Sequence, residues 1–245
     1  MLKKVSKDEL FDRVENNRSL RELDLSGLNL EKVNFSSRDL SGSVFHLTQF
    51  LQCAFTGANL QDTDLSRSMF LRCNLSGANL TGAKCMGAVF KDSQLTEANL
   101  TRANMQLVNM GKIHCDKARF VEAILNNVFM DGSNLAESAF NKAKLNFALM
   151  QNCNMANTNF SEADLTAANC ANTDFTGANF SRSLMVVTYL RDSILQDAVF
   201  TKALLIGTVL VGVDRQTVKL DGAATDELIW EDPKEEKDKA KKKEK

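Results

Sequence analysis

The sequence predicts an all-β solenoid, a chain wound about its own axis in short identical steps, and three observations predict it. Every fifth residue from Leu20 to Leu210 is Leu, Phe, Met or Cys: 39 positions comprising 18 Leu, 12 Phe, 6 Met and 3 Cys, with no slip of register. Two residues before each of these, from Ser43 onward, the side chain is small or β-branched, as at Ala58, Ala78, Ala98, Ser133, Ala163 and Ala203. The residue between the two is often Asn or Asp, as at Asn59, Asn79, Asn99, Asp164 and Asn179. An unbroken short period marks one structural unit repeated along an axis.

A period of five fits neither the 3.6-residue turn of a helix nor the two-residue alternation of a long strand. It fits a chain that extends briefly and then turns. Within the extended piece the small and the large residue are two apart, so both point the same way. The uniformly apolar large position makes that way the interior, and the middle residue faces solvent. A narrow shaft explains the size rule, because one bulky and one small side chain per face fill it without clash. Leu60, Phe90, Leu100, Leu135, Phe160 and Phe180 are core residues on this pattern. Gly57, Gly77 and Gly177 recur two residues after a large position, where a tight corner is expected.

Stretches such as GANLTGA (77–83) and EADLTAAN (162–169) show the unit openly. On these residues the chain resembles the pentapeptide-repeat proteins, whose motif is A(D/N)LXX, over about residues 20–212. The resemblance implies a right-handed quadrilateral β-helix with four pentapeptides per coil, hence about ten coils and a shaft ~45 Å long at strand-like spacing. Arg38 departs from the pattern, standing where a small residue is expected.

Both ends of such a shaft expose sheet edges that need covers. Residues 1–19 read as an N-terminal capping helix, with Ser6 as N-cap, Glu9 completing a capping box and Val5 against Leu10 as a hydrophobic staple. Leu10, Phe11 and Val14 share the face that would sit on the first rung. Residues 20–212 form the β-helix. Residues 213–230 read as a C-terminal cap with a short helix over 221–230, carrying Leu228, Ile229 and Trp230. Residues 231–245, with seven Lys against six acids, read as a disordered charged tail.

Composition argues against most chemistry. The chain holds six Cys, with Cys53, Cys73 and Cys153 at small interior positions and Cys85, Cys115 and Cys170 at large ones. None has CxxC spacing, so they read as apolar filler and not as metal ligands. The two His, His46 and His114, fall on outward positions of different faces. No nucleophile–base set, metal cluster or phosphate loop stands at a workable spacing. The sequence therefore predicts a protein that is not an enzyme, with no cofactor and no metal. It has no apolar run of the ~20 residues that span a membrane and no signal-peptide pattern at its start. A cytoplasmic protein is expected, with a secreted effector as the alternative location.

What remains is binding. The pentapeptide-repeat resemblance brings an alternative function, the DNA mimic that binds or protects DNA gyrase or topoisomerase. Mimicry needs a strong negative field, yet residues 20–212 carry 17 acidic and 16 basic side chains. The insertion loops of the family's quinolone-resistance proteins are missing as well, since the register never breaks. The outward positions point elsewhere. Every twentieth residue from Gln49 gives Gln49, Met69, Val89, Asn109, Phe129, Leu149, Asn169, Tyr189 and Val209, six of the nine apolar or aromatic. The neighbouring corner adds Leu47, Leu107, Phe147 and Val187, with Met86, Val186 and Ile206 beside it. Together these predict an apolar edge along most of the rod, larger than a soluble monomer ordinarily exposes.

A terminal helix folded over the edge, self-association and docking of another protein are the three readings of that edge. Near the C-terminal end, Leu184, Ile194, Val199 and Leu204 make outer positions apolar on every face, and family resemblance implies a homodimer through those coils. The function expected is a non-catalytic scaffold for protein–protein interaction, with a secretion-system accessory or effector as one setting for it. Its partners are proteins of unspecified identity, with no nucleic acid and no membrane.

Overall fold

The computed structural model describes residues 2–230, and the charged tail expected over 231–245 lies outside the described residues. One backbone rule governs the chain: residue i lies beside residue i + 20, in parallel. The pairs Asn29↔Gln49, Asp39↔Asn59 and Asp24↔Val44 begin ladders that continue coil after coil. Each coil therefore takes 20 residues, divided into four extended steps and four corners. In most steps the large residue donates its N–H to a carbonyl in the next coil, as from Leu25 to Val44 at 2.8 Å. The middle residue donates to the previous coil, as from Asn59 to Arg38 at 2.9 Å. Backbone groups that would be stranded in a five-residue strand thus find partners above and below.

Most steps are single bridges. Longer strands form at the N-terminal end, namely β1 (Lys3–Lys4), β2 (Leu23–Asp24), β3 (Asn29–Glu31), β4 (Gln49–Leu51), β5 (Met69–Leu71) and β6 (Val89–Lys91). Strand β1 pairs with β2, and β3 to β6 stack in chain order on one face. That face is the one whose middle positions were read from Gln49 onward.

The corners explain the motif's polar residue. Asn59 Oδ1 accepts the backbone N–H of Gln61 at 3.2 Å, and Asp64 Oδ1 that of Ser66 at 2.9 Å. An Asn or Asp between the two inward residues thus starts the turn that follows it. Most corners then close with an N–H three residues on, as from Ala58 to Phe55 at 2.9 Å. The third residue of the turn is left-handed. Glycine takes that role at Gly57 (φ +63°), but many corners place side chains there at φ +53° to +60°, Lys112 and Glu122 among them. At Gly82 a Cβ would fall 2.4 Å from Asp62 Oδ1, so a side chain there would have to displace the exposed Asp62 carboxylate of the preceding coil.

The interior is a stack of matching side chains. Leu60, Phe90, Leu100, Leu135, Phe160 and Phe180 are completely buried. Phe120, Phe140, Phe160, Phe180 and Phe200 form one column of rings, with successive centroids 4.5, 5.0, 5.1 and 5.1 Å apart. Each ring thus sits one coil above the last, in near-parallel contact. Buried hydroxyls at the small positions donate to backbone carbonyls, either one coil back, as Thr48 to Leu25 at 2.8 Å and Thr173 to Met150 at 2.7 Å, or three residues back in the same coil, as Ser68 to Leu65 at 2.6 Å. No buried side-chain nitrogen or oxygen among the described residues lacks a partner.

Helix α1 (Lys7–Glu15) covers the first coil. Ser6 accepts the N–H of Glu9 at 3.2 Å, and Leu10 is fully buried. The capping box is only half formed, because the Glu9 carboxylate turns to Lys3 at 2.6 Å and Arg13 at 2.9 Å. These two hydrogen bonds hold its pKa below the ordinary value. Arg38 finds its reason here. Its guanidinium donates to the carbonyls of Arg18 at 2.6 Å and Val14 at 3.1 Å, tying the end of α1 and the chain after it to the first coils.

The C-terminal helix expected over 221–230 does not form. The coil pattern runs on instead, with Val199↔Lys219, Leu204↔Ala224 and Val209↔Ile229 in the ladders. The five-residue register continues through Leu220, Ala223 and Leu228 to Trp230, all packed on the core. Leu228, Ile229 and Trp230 are one small position, one outward position and one large position of a step, which a helical reading of three adjacent apolar residues misses. Arg215 falls on the count of a large position but lies exposed in a turn, where the bridge expected between Ile194 and Asp214 is missing, and its guanidinium lies 4.9 Å from the centroid of the Trp230 ring.

Two outcomes follow from this interior. Leu135→Asp puts an unpaired carboxylate in a sealed shaft, and the expected result is loss of the cooperative thermal transition seen by circular dichroism; a melt near that of the parent chain would show the inside–outside assignment to be wrong. The second concerns acid. Asp24 is held below its ordinary pKa by the hydroxyl and N–H of Ser26. Burial raises Asp164, but hydrogen bonds from Thr166 and Asn146 outweigh it and leave it lowered too. A carboxylate lowered on folding stabilises above its unfolded value and loses that contribution as pH falls through the folded one. The melting temperature should therefore hold from neutrality to about pH 5 and drop below about pH 4.

Candidate functional site

The geometry of the coil decides which side chains share a surface. The middle position of the β3–β6 face forms one continuous parallel ladder from Asn29 through Gln49, Met69, Val89, Asn109, Phe129, Leu149, Asn169, Tyr189 and Val209 to Ile229. Phe129, Leu149 and Tyr189 are exposed, while Met69, Val89 and Val209 are half-buried between their neighbours. Leu47, Leu107, Phe147 and Val187 stand on the adjoining corner with side chains turned to solvent, Leu107 being 63% and Phe147 59% exposed. Met86 is exposed on the same corner, with Val186 and Ile206 half-buried beside it. The structure thus brings all ten edge residues onto one face and its corner.

The corner residues carry a second peculiarity. Leu47, Leu107, Phe147, Ala167 and Val187 all lie at left-handed positions, φ +54° to +59°. On the other three corners every described left-handed residue is glycine, charged, or a small or amide polar residue. Val187 is the one β-branched residue in that conformation among the described residues, where branching at Cβ is least tolerated. Neither burial nor backbone preference favours apolar side chains at these places.

Three features of the surface escape a reading by period alone. Ile229 extends the apolar ladder, which the expected terminal helix concealed. Leu51 is exposed at the other margin of the face, with Leu71 half-buried one coil on. Gly111 serves Phe129: a Cβ there would fall 2.3 Å from Cε1 of the Phe129 ring, so the ring lies across the glycine of the preceding coil. A glycine one residue before the usual left-handed position was the available signal. Among the described residues there is no C-terminal helix, and none of them folds back over the edge.

The remaining surface offers little chemistry. Among the described residues no three His, Cys, Asp or Glu side chains group as metal ligands, and no helix is long and apolar enough to cross a membrane. All six cysteines are buried. Burial pushes the Cys85 thiol up to about 12 and the Cys153 thiol up to about 11. Near the first coils an open polar hollow of about 360 Å³ is lined by Arg21, Glu22, Asp39 and Asp62 among others. There Arg21 already pairs with Asp39 at 3.5 Å. At the C-terminal end Leu184, Ile194, Val199 and Leu204 are exposed around the coil.

A family model described as pentapeptide repeats matches residues 39–70, 73–111, 113–150 and 143–182, in eight copies. Among solved structures, the chain is similar to HetL, a pentapeptide repeat protein involved in heterocyst differentiation regulation from the cyanobacterium Nostoc sp. strain PCC 7120. The two share 21% identity with a TM-score of 0.59, over 90% of this chain and 99% of that one. Full-length QnrB1, a plasmid-mediated fluoroquinolone resistance protein, shares 13% identity over 89% of this chain and 98% of its own. Its TM-score of 0.36 is too low to support any argument. Comparison with curated proteins gave no match.

The Gly111–Phe129 contact makes a signed prediction. The backbone at Gly111 is not left-handed, so alanine there should stabilise by ~0.5 kcal/mol if the space were free. With Phe129 present, Gly111→Ala should instead destabilise by about 1 kcal/mol. Urea denaturation of the two single variants and the Gly111→Ala, Phe129→Ala double variant measures this; effects that simply add would show that the ring does not occupy the glycine's space.

Proposed function

The chain belongs to the pentapeptide-repeat family, a family of right-handed β-helix solenoids, and from that premise we propose that it is a non-catalytic scaffold that binds protein through the apolar face and its corner. The observation that carries this reading is the confinement of apolar left-handed residues to one corner. Drift would scatter such residues over four corners, and a need for core would place them inside. Leu47, Leu107, Phe147 and Val187 contribute little to the interior and sit in a conformation unfavourable to them. Strained or exposed placements of this kind persist where a partner makes use of them.

Aromatic and large apolar side chains dominate interface energetics, which makes Phe129, Phe147, Leu149 and Tyr189 the anchors of the surface. The polar residues between and around them, such as Asn109, Asn127 and Asn169, supply orientation. A rigid rod suits this work, because its surface columns keep fixed spacing without the ordering cost that a loop would bring to binding. Electrostatics favour this over the DNA-mimic alternative. With 17 acidic and 16 basic side chains over residues 20–212, the shaft lacks the negative field that a substitute for the phosphate backbone requires.

The test compares the parent protein with a Phe129→Lys, Leu149→Lys, Tyr189→Lys variant as bait for affinity capture and quantitative mass spectrometry, after matching melts establish that both fold. A protein retained by the parent and lost by the variant supports the reading. Identical profiles would remove this face from the function. Topoisomerase subunits on both baits would favour the DNA-mimic alternative in its place.

A further inference from the structure

The face carries an order beyond its hydrophobicity. Along its ladder the polar residues Gln49, Asn109 and Asn169 are three coils apart, and each is followed by two apolar residues. A pattern of one polar and two apolar steps reads the same in both directions. It therefore complements itself when a second copy is turned through 180° and laid antiparallel on it, as a two-fold axis requires.

The axis is fixed by the side chains. Placed between the coils of Phe129 and Leu149, it sets Phe129 against Leu149, Asn109 against Asn169, Val89 against Tyr189 and Met69 against Val209. Polar meets polar and apolar meets apolar over eight coils, with the smaller Val89 opposite the larger Tyr189. The corner next to the face obeys the same axis independently. In this arrangement each corner lies over the same corner of the other copy, and Phe147 faces Asn127, Leu107 faces Ala167, Val187 faces Gly87, and Arg67 faces Gly207. In every pair a long or branched side chain meets a shorter one or none. Sliding one copy by three coils, which moves the axis by one and a half, still matches the polar steps, but it sets Leu107 on its own copy in one direction and Phe147 on Val187 in the other.

We infer that the apolar face and its corner are the interface of an antiparallel homodimer, with the two rods side by side about a two-fold axis between the coils of Phe129 and Leu149. The inference rests on the reading of this face as a protein-binding surface and names a second copy of the chain as its occupant. The area suffices: eight coils at ~4.8 Å and a width of about five residues give ~600 Å² per copy, or ~1,200 Å² in all, the lower bound of stable specific interfaces. The dimer buries the exposed side chains of Leu107, Phe129, Phe147, Leu149, Val187 and Tyr189 together, and it leaves the apolar collar at the C-terminal end outside the contact.

Sedimentation equilibrium of the full chain at up to ~100 µM is expected to give twice the 27.1 kDa chain mass. The Leu149→Lys variant, and separately Phe147→Lys, should return the monomer mass with melts that remain cooperative. Register is read with Asn109→Cys and Asn169→Cys, since the native cysteines are buried. A short bismaleimide should join the two variants when mixed and should join neither to itself, because facing sheets stand ~10 Å apart. Self-joining of Asn109→Cys or Asn169→Cys alone would overturn the register. A parent chain that stays monomeric, or a dimer that survives both Lys substitutions as one joined through the C-terminal coils would, overturns the homodimer. A monomeric parent whose face still retains another protein in the capture experiment would keep the binding surface and reject only the second copy as its occupant.

Discussion

Everything in this molecule depends on the width of its shaft. Four steps close a coil only if each sends one large and one small side chain inward, and the coils stack only if the same sizes recur twenty residues later. The ring column from Phe120 to Phe200, spaced at 4.5 to 5.1 Å, shows both conditions met at once. The backbone spacing between bridged coils, ~4.8 Å, falls within the centroid separation of offset-stacked rings, so hydrogen bonds and ring contacts do not compete. Where the interior needs a polar atom, as at Thr48 or Thr173, the hydroxyl goes to a carbonyl of the coil below and costs the core nothing in unsatisfied groups.

That constraint also separates structure from function along the sequence. Three of every five residues serve the shaft or its turns: the large residue, the small one, and the left-handed corner. Function has the corner side chains left to it, and the outward middle position wherever that residue is not the Asn or Asp that starts a turn. A solenoid cannot hollow out a pocket without breaking its own packing, and the open polar hollow by Arg21 and Asp39 lies outside the shaft. Chemistry in such a fold resides in columns on the surface, and specificity comes from what recurs along a column.

Much of this was legible from residue order. The interior, the turn-starting Asn and Asp residues, and the grouping of Phe129 with Leu149 and Tyr189 all follow from counting by five and by twenty. What counting could not supply came from contacts that cross the repeat. Arg38 looked like a flaw in the pattern until its bonds to the carbonyls of Val14 and Arg18 showed that it ties down the capping helix. The glycine at 111 acquires meaning only from a ring one coil away. The helix expected over 221–230 failed for the opposite reason: Arg215, on the count of a large position, broke the apolar count, and the register resumed beyond it through Leu220 to Trp230. The self-complementary order of the face needed a known coil geometry before opposing residues could be paired.

The quarter-turn unit has a consequence for how such a chain can vary. Removing or adding five residues keeps every large and small side chain in its interior place, so the core barely registers the change. All columns beyond that point, however, rotate to the next face, and an apolar ladder that ran straight along the rod would turn a corner midway. Removing a whole coil of twenty keeps the ladder straight but shifts its phase, so that polar and apolar steps no longer alternate in threes across the break. Insertions and deletions that leave folding untouched can therefore re-address the surface in discrete steps, ninety degrees or one coil at a time, much as the settings of a combination lock change while its mechanism stays the same.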